Sequence, residues 1–186
     1  MGRTIGIVGT GHFAGYLVQG LMRAESPPDI VVSPRNADKA GELAARFGVG
    51  IAADNQAVID TADVVILATR PALGTTAIDG LTFRPDQIAF TMVAGMTLAA
   101  FQSVVAPARA HRAIAHAGVS IGASPVFLYP DAPELHTLFS AWGPVEASPD
   151  EAAFEVATVF PVFYAALYRI IEESARWGAA QGLEPA

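Results

Sequence analysis

Cysteine is absent from the 186 residues. Disulfides, thiol catalysis and cysteine-based zinc sites are therefore excluded. Basic residues are few, 11 Lys plus Arg against 18 Asp plus Glu, for a net charge of −7. They form no cluster, which argues against a nucleic-acid partner. Charged residues make up only 16% of the chain and apolar ones 52%. A chain with so few charges for its surface is expected to hide some of that surface in an oligomer. The opening Met1-Gly2-Arg3-Thr4 runs straight into a strand-like stretch and lacks the apolar core of a signal peptide. The most apolar run, Val156 to Tyr168, spans about 20 Å as a helix, against about 30 Å of bilayer core, and it contains Pro161. It reads as a buried or interface helix rather than a membrane span, and the expected location is the cytoplasm. No paired-carboxylate or Ser/His/Asp constellation stands out. Of the four histidines, His12, His111, His116 and His136, none has a partner at metal-ligand spacing, so no metal is expected.

What is present is a regular alternation. Thr4 to Val8 reads as a first strand and Phe13 to Arg23 as a helix with Leu17, Leu21 and Met22 on one stripe. Ile30 to Val32 reads as a second strand. Asn36 can cap the helix that follows, which ends at Phe47 before Gly48. Gly50 to Ala53 is a short third strand, and Asp54 or Asn55 caps a short helix ending near Ala62. Val64 to Ala68 is almost wholly apolar, as befits a central strand covered on both faces. Further strands are expected at Ile88 to Val93, Arg112 to Ala115, Val126 to Tyr129 and Pro144 to Ala147. This order predicts an α/β Rossmann fold: a doubly wound, mostly parallel sheet.

From Asp150 to Gly182 the pattern turns helical, with Phe154, Phe160, Phe163, Tyr164, Leu167, Tyr168, Ile170 and Ile171 on nearly every face. A helix apolar all round must be covered all round. A second chain, or a segment not included here, has to supply that cover. The predicted organisation is a dinucleotide-binding domain over residues 1–149 and a short C-terminal helical dimerisation segment over 150–186.

Gly9-Thr10-Gly11-His12-Phe13-Ala14 is a G-x-G-x-x-A sequence set between the first strand and the first helix. That context makes it a dinucleotide fingerprint. Gly9 permits the tight turn, Gly11 lets backbone approach a pyrophosphate, and Ala14 lets helix and strand pack closely. The N–H groups at the helix start then face the phosphates. His12 lies within the loop, as a phosphate contact or simply an exposed side chain. An NAD-selecting domain carries Asp or Glu at the end of its second strand. Here that position is Ser33, followed by Pro34, Arg35 and Asn36, with Lys39 one turn on. No carboxylate repels a 2′-phosphate, Ser33 and Asn36 can donate hydrogen bonds, and Arg35 can make charge-assisted ones. The expected cofactor is NADP.

The order of these features resembles pyrroline-5-carboxylate reductase and, more loosely, the F420-dependent NADP oxidoreductases. Ile5 to Gly11 matches the family's start, and Val32-Ser33-Pro34-Arg35-Asn36 is similar to its S-x-R element. Asp63 to Pro71 is similar to its D-V-V-x-L-A-V-K-P block, with Arg70 in place of the lysine. Val93-Ala94-Gly95-Met96 resembles its A-A-G-I turn. The resemblance implies that Asn55 faces the cofactor ribose and that Ala68, Thr69, Arg70, Pro71 and Ala94 line the cofactor. It also implies a helical dimerisation domain, and hence a homodimer.

The departures fall on the substrate side. Where the family has M-P-N-T-P, this chain has Ile114-Ala115-His116-Ala117-Gly118. Where it has S-G-S-G-P-A, this chain has about Pro161-Val162-Phe163-Tyr164-Ala165-Ala166. Thr158, just before, matches a family threonine. Bulky apolar residues thus replace the hydroxyls and backbone that would greet a carboxylate. The expectation is an NADPH-dependent reductase acting on a C=N or C=O bond of a small, more apolar molecule, with His116 and Thr158 on the substrate side. His116 could donate a proton, or be a loop histidine bonded to backbone. The competing reading is a non-catalytic NADP-binding sensor or partner subunit.

Overall fold

The structure, a computed structural model, describes residues 3–183. Two apolar runs form its centre. Ile5–Val8 (β1) and Val64–Leu67 (β4) are buried along their whole lengths and pair in parallel, Ile7 opposite Ile66. Ile30–Val32 (β2) pairs with the other edge of β1, and the two-residue Gly50–Ile51 (β3) lies beyond it. On the opposite side come Ile88–Thr91 (β5), Arg109–Ile114 (β6), Val126–Tyr129 (β7) and Val145–Ala147 (β8). The order is β3-β2-β1-β4-β5-β6-β7-β8. All neighbours are parallel except β6 and β7, so the last two strands run against the rest. This is the doubly wound, mostly parallel sheet that the alternation predicts.

Capping residues explain the helices. His12–Leu21 (α1) follows the glycine turn, and Asn36 caps Ala37–Phe47 (α2) by accepting the Lys39 N–H. That helix stops because Gly48 adopts φ +71°, a left-handed end that favours glycine. Asp54 caps Asn55–Thr61 (α3), and Thr97 caps Leu98–Val105 (α4). Pro133–Phe139 (α5) lies before β8.

The helices divide between the sheet's two faces. Leu17, Val18 and Leu21 of α1 share one core with Phe90, Phe139 and Trp142. Trp142 is fully buried, stacks on Phe139 and donates its indole N–H to the Leu17 carbonyl at 3.0 Å. Val58, Ile59, Phe101 and Val105 form the core on the other face.

Several boundaries differ from expectation, each for a local reason. β3 stops at Ile51, and β5 stops at Thr91, whose hydroxyl accepts the Val93 N–H at 3.1 Å and turns the chain. β6 starts three residues early, at Arg109, because its N–H bonds the Gln87 carbonyl and extends the ladder with β5.

The C-terminal segment is two helices, not one. Asp150 caps Glu151–Ala157 (α6), and Phe160–Ala180 (α7) follows after Thr158 and Val159. Pro161 explains the break: it has no N–H to offer the Ala157 carbonyl, and its ring crowds that carbonyl. α6 lies against the domain, with Phe154 and Ala157 buried, whereas in α7 only Gly178 is buried. Phe163, Leu167, Ile170 and Trp177 are each more than half exposed. Residues Glu151–Ala180, taken as one 30-residue run, are by length and composition long and apolar enough to cross a membrane.

Candidate functional site

β1 is the switch point of this sheet: the chain leaves it towards β2 and β3, then returns to build β4, β5 and β6 on its other side. Open α/β sheets leave a crevice at the carboxyl ends of the strands at such a point. Here it is a cleft of about 710 Å³. It is lined by Gly9, Thr10, Gly11, His12, Phe13, Ser33, Arg35, Asn36, Asn55, Ala68, Thr69, Arg70 and Pro71, with Val8, Leu73, Ala77 and Met92.

The glycine turn is built for close approach. Gly9 sits at φ +103°, and a Cβ there would come within 2.9 Å of the Ala68–Thr69 backbone, so only glycine fits. Gly11 is different. Its φ of −101° suits any residue, and an added Cβ would meet no protein atom within 4 Å. The protein's own packing therefore does not require glycine at 11. The space beside it is open. α1 has no side-chain cap at its start. The N–H groups of its first turn lack intrahelical partners and carry the positive end of the helix dipole. Ala14 is buried without exposure beneath them.

The end of β2 is tied to this turn. The Ser33 hydroxyl accepts the Gly9 N–H at 3.0 Å, and the Thr10 hydroxyl donates to the Ser33 carbonyl at 2.6 Å. With the Thr10 proton so used, the 3.0 Å contact between the two hydroxyls must be donated by Ser33. Both residues are buried. Ser33 therefore shapes the turn, and its donor is spent inside the protein rather than pointed outward as the sequence suggested. Beyond it, Arg35 and Asn36 are exposed at the rim. Lys39 lies across Gly15 and pairs with Glu42 at 2.8 Å, a hydrogen bond that holds the Glu42 carboxyl below the usual range. Arg35, unlike Lys39, has no ion-pair partner among the described residues.

The opposite wall comes from β4 and the 3-10 stretch Pro71–Ala77. Asn55 donates its amide to the Ala77 carbonyl at 2.7 Å, and the Thr69 hydroxyl donates to the Gly74 carbonyl at 3.2 Å. Arg70 and Pro71 are exposed, as is His12 at the first position of α1. Ala94 is not part of the cleft. β5 ends early at Thr91, and Ala94 is exposed in the turn that Gly95 completes at φ +78°.

His116 and Thr158 stand apart from this cleft. The His116 Nδ1 accepts the Gly118 N–H at 3.0 Å, and its backbone N–H donates to the buried Ser124 hydroxyl at 3.0 Å. It is thus bonded to backbone, and burial lowers its pKa. Its ring stacks on Tyr164 of α7, centroids 3.8 Å apart. The Thr158 hydroxyl donates to the Glu155 carbonyl at 2.6 Å.

Arg112 escaped the sequence reading. It is 1% exposed in the middle of β6 and pairs through Nη1 with Glu151 at 2.7 Å and Glu155 at 2.6 Å, both on α6. Its guanidinium also lies 4.5 Å over the Phe154 ring. Glu151 further accepts the Leu98 N–H at 2.6 Å. The signal was an arginine running straight into the apolar Ala113 and Ile114 of a strand, which needs a buried anion. An i, i+4 acidic pair on α6 provides it.

Residues 4–95 match the family described as NADP oxidoreductase, coenzyme F420-dependent. Pyrroline-5-carboxylate reductase 1 of Bacillus spizizenii is 32% identical over 100 residues, covering 51% of this chain and 34% of that protein. The pyrroline-5-carboxylate reductase of Mycobacterium tuberculosis is 30% identical over 196 residues, covering 96% of this chain and 66% of that protein. The crystal structure of 1-pyrroline-5-carboxylate reductase from Streptococcus pyogenes superposes with a TM-score of 0.82 at 26% identity, over 98% of this chain and 72% of that one. The chain thus spans between about a third and about two thirds of these curated relatives. An uncapped glycine turn, a strand-two end without an acid and a likeness that runs the length of the sheet agree with one another, and the chain is similar to the pyrroline-5-carboxylate reductase-like NADP oxidoreductases.

Proposed function

We propose that this chain is an NADPH-dependent reductase that acts in the cytoplasm on a C=N or C=O bond of a small molecule. The observation that carries the reading is Gly11, where glycine is required by nothing in the protein itself. The amides of the first turn of α1 would hold the pyrophosphate, Arg35 and Asn36 the 2′-phosphate, and Asn55, Thr69 and Arg70 the far wall. Arg70 and His12 add positive or polar character at the mouth, fitting an anionic ligand. NADPH, when bound, supplies the hydride. The protein's part is to orient that ligand against the sheet edge and to keep water from it with Phe13, Leu73 and Met92.

The chain works as a homodimer through α7 in this proposal, and residues 150–186 form its arm. Phe163, Leu167, Ile170 and Trp177 recur at helix-pairing intervals and are exposed. Arg169, Glu172, Glu173 and Arg176 form an ion-paired stripe on another face. A helix with one apolar and one charged face suits a second copy better than lipid. The competing role, a sensor that binds NADP without turnover, draws on the bulky Pro161 to Ala166 stretch. Steady-state NADPH oxidation with a panel of cyclic imines and ketones separates the two: turnover above the no-substrate rate supports the reductase, and saturable NADPH binding without turnover supports the sensor.

A further inference from the structure

α7 touches the domain along one ridge. Phe160, Tyr164 and Tyr168 recur every four residues, so they lie above one another on one face. Phe160 stacks on Phe127 of β7 with centroids 5.6 Å apart and an interplanar angle of 15°. Tyr164 stacks on His116 at 3.8 Å and 19°. Tyr168 leans on Tyr164 at 4.6 Å. Four aromatic rings and an imidazole thus form one wall, beside the carboxyl end of β6 and on the same sheet edge as the cleft.

The imidazole in this wall is fixed in place and in tautomer. Its Nδ1 accepts the Gly118 N–H, so the neutral ring carries its proton on Nε2. Its backbone is held by Ser124, which is fully buried. Gly118 packs so closely that an added Cβ would come 2.6 Å from the imidazole Cε1. Tyr164 covers one face. Burial favours the neutral ring, and hydrogen bonding with Tyr168 pushes the Tyr164 hydroxyl up to about 12, so it too stays neutral.

We infer that His116 and the Tyr164–Tyr168 ridge form the substrate platform, and that they select an uncharged planar imine or carbonyl compound over one that bears a carboxylate. His116 Nε2–H donates to the imine nitrogen or carbonyl oxygen, while the tyrosine faces receive the apolar body. None of these five rings brings a positive charge to meet a carboxylate. The inference rests on the reductase reading and names the class of substrate that reading leaves open.

The test uses the full chain saturated with NADP+, so that ligand binding is read without turnover. Uptake of NADP+ is measured first, by calorimetry. 1-Pyrroline and 1-pyrroline-5-carboxylate are then titrated separately at pH 8. The expected result is tighter binding of 1-pyrroline by about tenfold or more. His116→Ala should weaken it by about fivefold to tenfold, the worth of one hydrogen bond and a ring contact. His116→Gln, which keeps an Nε2–H donor, and Tyr164→Phe, which keeps the stack, should each stay near the parent. Melting curves confirm that each variant is folded. Equal or tighter binding of the carboxylate compound, no binding of either imine, or unchanged affinity in folded His116→Ala overturns the inference. Failure to take up NADP+ overturns instead the cofactor reading beneath it.

Discussion

The cleft at β1 and the arm at α7 contrast in what each completes within one chain. Around the glycine turn nearly every polar group already has a partner: Ser33 holds Gly9, Thr10 holds Ser33, and Asn55 holds Ala77. What is left over is a few amides and one open direction at Gly11. Along α7, by contrast, the side chains that should be covered are bare, and the satisfied ones are the charged residues Arg169, Glu172, Glu173 and Arg176. The first region leaves room for a small ligand, and the second leaves an apolar face uncovered along the helix. Arg112 joins them, anchoring α6 to the sheet while α7 reaches outward.

The largest expected effect strikes the cleft alone. Gly11→Val should reduce NADPH affinity by about a hundredfold or more, equivalent to about 2.7 kcal/mol. It should leave the melting temperature near the parent value, because a Cβ at this position would meet no protein atom within 4 Å. Fluorescence titration and a melting curve read both quantities. A matched loss of stability would mean that the turn needs glycine for itself.

The joint between the regions comes next. Arg112→Leu removes the partner of two carboxylates that are themselves more than a third exposed, and should cost about 2 kcal/mol in urea unfolding. Limited proteolysis should cut near Thr158 and Val159 in the variant before it cuts the sheet. An unchanged cutting pattern would show that α6 does not depend on this anchor.

A smaller effect sharpens the cofactor choice. Arg35→Ala should weaken NADPH by about tenfold and NADH hardly at all, since a charge-assisted contact is worth about 1.4 kcal/mol. Equal losses for the two cofactors would remove Arg35 from 2′-phosphate recognition.

The smallest effect is in pH. His111 and His116 both have folded pKa values lowered by burial. The unfolded chain therefore binds more protons than the folded one as pH falls through about 6.5. Their contribution to stability is present above that value and lost below it. Urea midpoints should fall between pH 7 and pH 5.5. A midpoint that rises over this range contradicts the assignment.

Much of this contrast was legible in the sequence where the cause is local. Asn36 and Gly48 bracket α2 because capping acts within one turn, and Val64 to Leu67 reads as a central strand from its own side chains. The G-x-G-x-x-A turn is likewise contiguous. What was hidden depends on distant partners. The Ser33 hydroxyl meets Gly9 24 residues away, and Arg112 meets Glu151 39 residues away. No periodicity reports such pairs. β5 ends at Thr91, two residues before its apolar pattern does, because the Thr91 hydroxyl accepts the Val93 N–H. Pro161 stands inside a run whose apolar pattern predicts one continuous helix, and its cost to the Ala157 carbonyl decides the break.

The most direct measurement is a calorimetric titration of the full chain with NADPH and, separately, with NADH. One saturable site per chain, with NADPH bound at least about tenfold more tightly, is the predicted result. No heat of binding from either dinucleotide, in protein shown to be folded by its melting curve, would contradict the account at its base.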